Sequence, residues 1–300
     1  MGISKYQIKK WANMLLGKSI HHVNQDEGKI YSIDKVRGYY NNLTEKVTRL
    51  NLNDNSIPKS RTDSGDEIYF SIEIFQYGLA AYDLFLLNND TSMLHKSLAC
   101  AEWALENQEK NGAWLTFDFD NPDHPYSSMA QGEGISLLMR VYLSSNDDRY
   151  LEAASRALQF MLCPIENGGT TKYKGKNVYF YERTGDPLVL NGWIFSYWGL
   201  LDFWKVTKDE QAREILDKTL KAMIHDLPSY DTGYWSKYDA GKMICSPFYH
   251  KLHIAQLNVM YDLTGEIVFK QYADKWAQYE KSFVKSKRAF ITKALQKVME

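Results

Sequence analysis

The chain has 300 residues, of which 36 are basic and 37 acidic, so its formal net charge is -1. This balance gives no general attraction for nucleic acid, and we expect no nucleic-acid partner. The three cysteines, Cys100, Cys163 and Cys245, lack CxxC spacing, which argues against a disulfide framework and against a zinc site. We therefore expect no metal, no cofactor, and a reducing, cytoplasmic compartment.

The first 66 residues are predicted to hold an N-terminal helix followed by an irregular region with short strands. Residues 1–20 contain a short apolar run surrounded by lysines, which is typical of a basic amphipathic helix. Residues 28–66 mix short alternating runs with Asn, Asp, Ser, Gly and Pro. No stretch approaches the roughly 18 apolar residues of a membrane helix, so no membrane span is predicted.

The remaining sequence repeats one unit four times. Tyr82, Tyr142, Leu201 and Tyr261 occupy matching positions in four apolar segments, at steps of 60, 59 and 60 residues. An amphipathic segment with a charged face follows each of them. A period of this size, sustained over four copies, indicates a repeat architecture built from helical hairpins.

The two kinds of helix predict how the hairpins pack. A helix that is apolar on every side belongs inside a protein, whereas an amphipathic helix lies outside. We therefore predict an all-α dominated fold, an α/α toroid of four helical hairpins and eight helices over residues 67–284. Residues 285–300 are expected to form a C-terminal helical tail. An open solenoid of the same hairpins is the alternative.

Three long connections, at residues 111–128, 166–187 and 230–250, lead back into the inner helices and are expected at one end of the toroid. Their lysines, arginine and tyrosines suit an anionic carbohydrate, because cations attract carboxylate or sulfate while tyrosines contact sugar rings. The candidate substrate-binding residues in and beside these connections are Lys172, Lys174, Arg183, Lys242, His250, His253, Tyr126, Gln131 and Asn191.

Four segments, PYSSMAQGEGISLLMRVYL, VLNGWIFSYWGLLDF, LPSYDTGYWSKYD and FYHKLHIAQL, occur in an order and spacing that resemble the C-terminal domain of the glucuronyl 5-epimerases. Enzymes of that family act on heparosan and heparan sulfate, and invert D-glucuronate to L-iduronate within the polymer. The resemblance covers about residues 68–279. It implies an α/α barrel, a uronate-containing polysaccharide as substrate, and a homodimer.

The resemblance also implies catalytic residues. The family's tyrosine motifs match Tyr238 in KYDAGK and Tyr249 in FYHKLH, and its further acidic and tyrosine site matches Tyr181 or Glu182 in FYERTGDP. Gly241 stands where the family has an arginine, and a lysine follows it.

Inversion at carbon 5 of a uronate needs one proton-transferring group on each face of the sugar ring, and cations or strong donors to stabilise the anionic intermediate. We assign Tyr249 and Tyr238 to proton transfer, with Glu182 or Tyr181 on the opposing face. A uronate lyase or a glycoside hydrolase on the same toroid is the competing interpretation, because both use similar side chains. A non-catalytic glycan-binding domain is the third.

Overall fold

The computed structural model describes residues 22–53 and 56–299, together with the single positions Lys9 and Asn13. Apart from those two positions, the helix predicted within residues 1–20 lies outside the described residues. The described part of the chain contains ten α-helices. None of these helices combines the length and the apolarity that crossing a bilayer would require.

Eight of the helices form four hairpins, as the sequence predicts. In chain order the pairs are α2 (Ser71–Asn88) with α3 (Thr91–Asn107), α4 (Ser128–Ser145) with α5 (Asp148–Leu162), α6 (Leu190–Thr207) with α7 (Glu210–Asp226), and α8 (Pro247–Thr264) with α9 (Ile267–Lys281). The first helix of each pair is buried along most of its length, and the second exposes a polar face. The prediction of an α/α toroid, with an inner and an outer set of helices, is therefore confirmed.

The four hairpins share one kind of turn. Each inner helix ends at a residue with a φ between 45° and 75°, the left-handed conformation that glycine and asparagine tolerate best. These residues are Asn89, Asn146, Lys208 and Gly265. In three of the hairpins an aspartate side chain then caps the outer helix by accepting a backbone hydrogen bond from its first turn. These aspartates are Asp90, Asp147 and Asp209.

Glycines allow two neighbouring inner helices to approach closely. Gly132 on α4 faces Gly199 on α6, and a Cβ atom added to Gly199 would lie only 2.2 Å from the carbonyl oxygen of Gly132. Any side chain at either position would push the helices apart. This contact explains why small residues interrupt two otherwise bulky apolar segments.

Residues 23–43 lie between the last inner helix and the first. On the α8 side, Asn258 Nδ2 donates to Glu27 Oε1 at 2.6 Å and the Tyr31 hydroxyl donates to Asp262 at 2.6 Å. On the α2 side, the backbone N–H of Tyr39 donates to Asp83 at 2.8 Å. The segment thus joins the two ends of the row of inner helices.

Residues 23–43 also close one end of the toroid, where they cover a buried ion pair between two inner helices. Arg140 of α4 and Asp202 of α6 are 2.6 Å apart and both side chains are almost fully enclosed. Asp202 also accepts from the Tyr40 hydroxyl at 2.7 Å, and Arg140 donates to the carbonyl of Gly38 at 3.0 Å. Since these groups lie in the later turns of the inner helices, the open end is the one at which the helices begin.

The remaining elements are small. Strand β1 (Ser60–Arg61) pairs antiparallel with β2 (Glu67–Ile68), and β3 (Thr171–Lys174) pairs antiparallel with β4 (Asn177–Phe180). Helix α1 (Thr44–Leu50) precedes the first hairpin, and α10 (Phe283–Met299) follows the last outer helix. The predicted domain boundaries at residues 66 and 284 stay predictions.

Candidate active site

A cavity of about 660 Å³ lies at the open end of the toroid. Every inner helix contributes a lining residue from its first two turns: Glu73 on α2, Met129 on α4, Asn191 on α6 and Tyr249 on α8. The first and second long connections also reach it, and residues 60–64 of the β1–β2 hairpin line its rim. The cavity therefore collects side chains that are distant in the sequence.

Two of the predicted tyrosines touch each other beside this cavity. The rings of Tyr238 and Tyr249 meet edge to face with centroids 4.9 Å apart. Tyr249 lines the cavity from the first turn of α8, which the Ser246 side chain caps by accepting from the Tyr249 backbone N–H. Burial raises the pKa of both phenols above the ordinary value, and the nearby Glu182 raises them further. Both hydroxyls therefore stay protonated at neutral pH.

Glu182 lines the same cavity and has an unusual carboxyl group. Burial raises its pKa to about 7, an effect that the adjacent Arg183 opposes and Asp186 reinforces. One of its oxygens, Oε2, is buried and finds no hydrogen-bond partner among the described residues. A carboxyl with a pKa near 7 exists in both forms at neutral pH, so it can accept a proton and release it.

Backbone hydrogen bonds of the neighbouring residue determine the direction of the Glu182 side chain. The preceding residue, Tyr181, is held by its N–H, which donates to Thr170 at 2.9 Å, and by its carbonyl, which accepts from Ser128 at 3.0 Å. Gly192 then leaves room for the carboxyl, since a Cβ there would lie 2.6 Å from Glu182 Oε2. Tyr181 itself does not line the cavity. Of the two residues that the sequence left open, the structure brings Glu182 to the cavity.

Arg183 is the one residue among the predicted substrate-binding cations that lines the cavity. Its guanidinium lies over the Phe117 ring, 4.4 Å from the centroid. It pairs with Asp120 at 3.2 Å and with Asp186 at 3.3 Å. These pairs are partly exposed, so a substrate carboxylate could compete for the guanidinium.

Sequence reasoning missed three polar residues at the wall of the cavity, Lys46, Glu73 and Gln76. Lys46 of α1 forms an ion pair with Glu73 at 2.6 Å, and Gln76 donates to Glu133 at 2.8 Å. Lys46, Glu73 and Gln76 line the cavity, while Glu133 is fully buried behind them. Burial raises the pKa of Glu133 well above its ordinary value. The sequence did contain a signal for these residues, because Glu73 and Gln76 are polar positions in a helix that is otherwise apolar nearly all round.

The two histidines predicted to bind substrate lie elsewhere. His250 stacks on Trp235 with centroids 3.6 Å apart and is hydrogen-bonded to the Ser236 hydroxyl and the Trp276 carbonyl. His253 contacts the thiol of Cys245. Both imidazoles are fully buried and neither lines the cavity. Both rings pack against Trp276 of α9, so the structure places these two histidines away from the cavity at which they were predicted to bind substrate.

Five other predicted substrate-binding residues are spread over the molecule, and of these only Asn191 lines the cavity. Tyr126 donates its hydroxyl to Glu109 at 2.6 Å. Gln131 is fully buried. Lys172 and Lys174 lie on the exposed strand β3. The ninth candidate, Lys242, is exposed, and its backbone carbonyl accepts a hydrogen bond from the Gln296 side chain. Lys242 does not line the cavity either.

Known proteins resemble parts of this chain. It is 32% identical over 186 residues to an uncharacterized protein of Methanocaldococcus jannaschii, covering 58% of this chain and 60% of that protein. It is 28% identical over 214 residues to the D-glucuronyl C5-epimerase of Caenorhabditis elegans, covering 62% of this chain and 35% of the relative. The chain therefore spans less than two thirds of the length of either curated relative.

Among solved structures, a GH76 α-mannanase of Bacteroides thetaiotaomicron superposes with a TM-score of 0.47 at 16% identity, over 67% of this chain and 54% of that one. A likeness this low says nothing about chemistry. The sequence match is more informative: residues 105–278 match the family described as D-glucuronyl C5-epimerase C-terminus. Because that match covers more than half of the chain, the protein belongs to this family.

Proposed function

We propose that the protein is an isomerase that inverts carbon 5 of D-glucuronate residues in a heparosan-like polysaccharide, giving L-iduronate. One observation carries the proposal beyond family membership. A protonated phenol, Tyr249, and a carboxyl with a pKa of about 7, Glu182, reach the same cavity from different elements and lie close enough to interact electrostatically.

The chemistry follows from the two protonation states. The Glu182 carboxylate removes the proton from carbon 5, and the electron pair of that C–H bond moves into the sugar carboxylate, giving an enediolate. The Tyr249 hydroxyl then donates its proton to carbon 5 from the other face, which forms the new C–H bond and leaves a phenolate. Solvent returns a proton to Tyr249 and takes one from Glu182 after product leaves.

Two further residues have supporting roles in this proposal. Arg183 binds the substrate carboxylate and stabilises the charge that gathers on it, because a guanidinium can contact both carboxylate oxygens. Tyr238, whose ring meets that of Tyr249 edge to face, lowers the pKa of Tyr249 against the effect of burial and so favours the phenolate that forms during the reaction. A homodimer, which the family resemblance implies, and a cytoplasmic location, which the cysteine spacing suggests, are likewise proposals.

Proton NMR of heparosan incubated with the protein in deuterated water tests the proposal. We expect deuterium at carbon 5 together with new iduronate signals. Tyr249→Phe should lower the rate of epimerisation by a factor of about 10² or more while substrate binding survives. Tyr142→Phe is the matched control, since Tyr142 lies near the far end of α4 and outside the cavity. An unchanged rate in Tyr249→Phe would refute the assignment.

A uronate lyase or a glycoside hydrolase is the second candidate, and one observation favours it. Glu73 also lines the cavity, which gives Glu182 a second carboxylate as a possible partner. The ion pair between Glu73 and Lys46 argues that this carboxylate is structural. In the NMR experiment a shortened polymer, with an unsaturated end for a lyase or a new reducing end for a hydrolase, would establish this alternative.

A further inference from the structure

Helix α10 exposes an unusual amount of apolar surface. Phe283, Val284, Phe290, Ile291 and Leu295 are each between 52% and 75% exposed. At about 100° per residue these five positions fall within an arc of about 140° on one side of the helix. Large apolar side chains gathered on one exposed face usually mark a contact with another molecule or with lipid.

The opposite side of α10 packs on the protein. Ala289 is buried, Lys285 donates to the Gly233 carbonyl at 3.2 Å, and Gln296 bonds both to the Ile244 N–H and to the Lys242 carbonyl. The helix is therefore fixed on the third long connection with its apolar arc facing outward.

Charge identifies the partner. Between positions 283 and 299 the sequence has five basic residues, Lys285, Lys287, Arg288, Lys293 and Lys297, and no Asp or Glu. A helix with a wide apolar arc and only basic charge is the pattern of helices that lie in the interface of an anionic bilayer. We propose that α10 docks the protein on an anionic lipid surface.

Lys287 argues against the main alternative, a second copy of this chain. It lies within the apolar arc, with its ammonium 4.3 Å from the centroid of the Phe283 ring. Two-fold pairing of this face would bury two ammonium groups together between apolar side chains, which is unfavourable without a partner charge. On a bilayer the same side chain can extend its ammonium to the lipid headgroups.

Docking through α10 would also orient the cavity. Lys297, in the last turns of α10, lines the cavity described above. A protein held on a membrane by this helix therefore keeps the cavity mouth close to the lipid surface. An anionic polysaccharide is a poorer occupant of the arc itself, because it would leave the exposed phenylalanine, isoleucine and leucine side chains in water.

Flotation with lipid vesicles tests this proposal. We expect the protein to float with phosphatidylcholine vesicles containing about one third phosphatidylglycerol, and to stay unbound with phosphatidylcholine alone. Binding should weaken as salt is raised. Phe290→Asp/Ile291→Asp should lower the affinity at least about tenfold. Both positions are already exposed, so circular dichroism should show an unchanged fold.

The control is Ile267→Asp, compared with the single variant Ile291→Asp, because both place one negative charge at a similarly exposed isoleucine and Ile267 lies in the first turn of α9, away from α10. It should bind vesicles as the unsubstituted protein does. Vesicle binding that survives Phe290→Asp/Ile291→Asp would overturn the proposal, as would the absence of any binding to anionic vesicles. Sedimentation that shows a dimer lost in that double variant, without vesicle binding, would assign the face to a second copy instead.

Discussion

Replacing the Glu182 carboxyl with an amide tests both its proposed role as the base and the energetic consequence of its burial. Glu182→Gln keeps the shape of the side chain and removes its ability to ionise. Because the substituted group can no longer take the proton from carbon 5, we expect the rate of epimerisation to fall by about 10²- to 10⁴-fold. The same substitution should make the folded protein more stable at alkaline pH.

The magnitude follows from the raised pKa. Burial moves the pKa of Glu182 from 4.5 to about 7, so the folded state favours the protonated carboxyl more than the unfolded state does. The stability that this group contributes is complete below pH 4.5 and is lost as the pH rises to about 7. At about 1.4 kcal/mol per unit of pKa shift, a fully enclosed carboxyl would lower the free energy of unfolding by about 3 kcal/mol at high pH. Glu182 is only partly buried, so solvent screens the carboxyl and we expect about 2 kcal/mol.

Urea unfolding at about pH 4 and about pH 8 measures this difference. Other titrating groups are common to both proteins, so they cancel when the two free energies of unfolding are subtracted. Glu182→Gln should match the unsubstituted protein at the lower pH and exceed it by about 2 kcal/mol at the higher pH. Glu152→Gln, at an exposed position on α5, is the control and should show no such change. An equal difference at both pH values would refute the reasoning.

Three further predictions concern the scaffold. Gly192→Ala should displace Glu182, lowering kcat about tenfold or more and the free energy of unfolding by about 1–3 kcal/mol, measured by the NMR assay and urea unfolding. Arg140→Met should lower the free energy of unfolding by about 3–5 kcal/mol, because it leaves Asp202 buried without its partner. Thermal unfolding measures this loss, and a change below about 1 kcal/mol would contradict the prediction. Burial lowers the pKa of His250 to about 4, so its contribution to stability is present above pH 6.5 and is lost as the pH falls toward 4. His250→Gln should flatten that part of the stability curve while substrate affinity, by titration, stays unchanged.

Much of the architecture could be predicted because it depends on local patterns. The matching positions Tyr82, Tyr142, Leu201 and Tyr261 all lie on inner helices, in hairpins of nearly equal length. The apolar and amphipathic segments separated into an inner and an outer set because each helix buries its own apolar side chains. Turns and caps act within a few residues, so the sequence shows them directly.

The candidate site could be predicted only in part. Tyr249 and Glu182 came from the family resemblance, and the structure brings both to one cavity. The choice between Tyr181 and Glu182 depends on which way one segment faces, and that is decided by its hydrogen bonds to Thr170 and Ser128. These partners are remote in sequence and no periodicity indicates them.

The number of hairpins and the inner or outer position of each helix can be read from the sequence, because both depend on patterns among neighbouring residues. Which titratable groups are enclosed together depends on how the helices pack. This packing encloses His250 between helices, and it sets Lys46 against Glu73 beside the cavity. The pKa of a side chain depends on desolvation and on charges that other helices bring near, and these arise only when the helices pack.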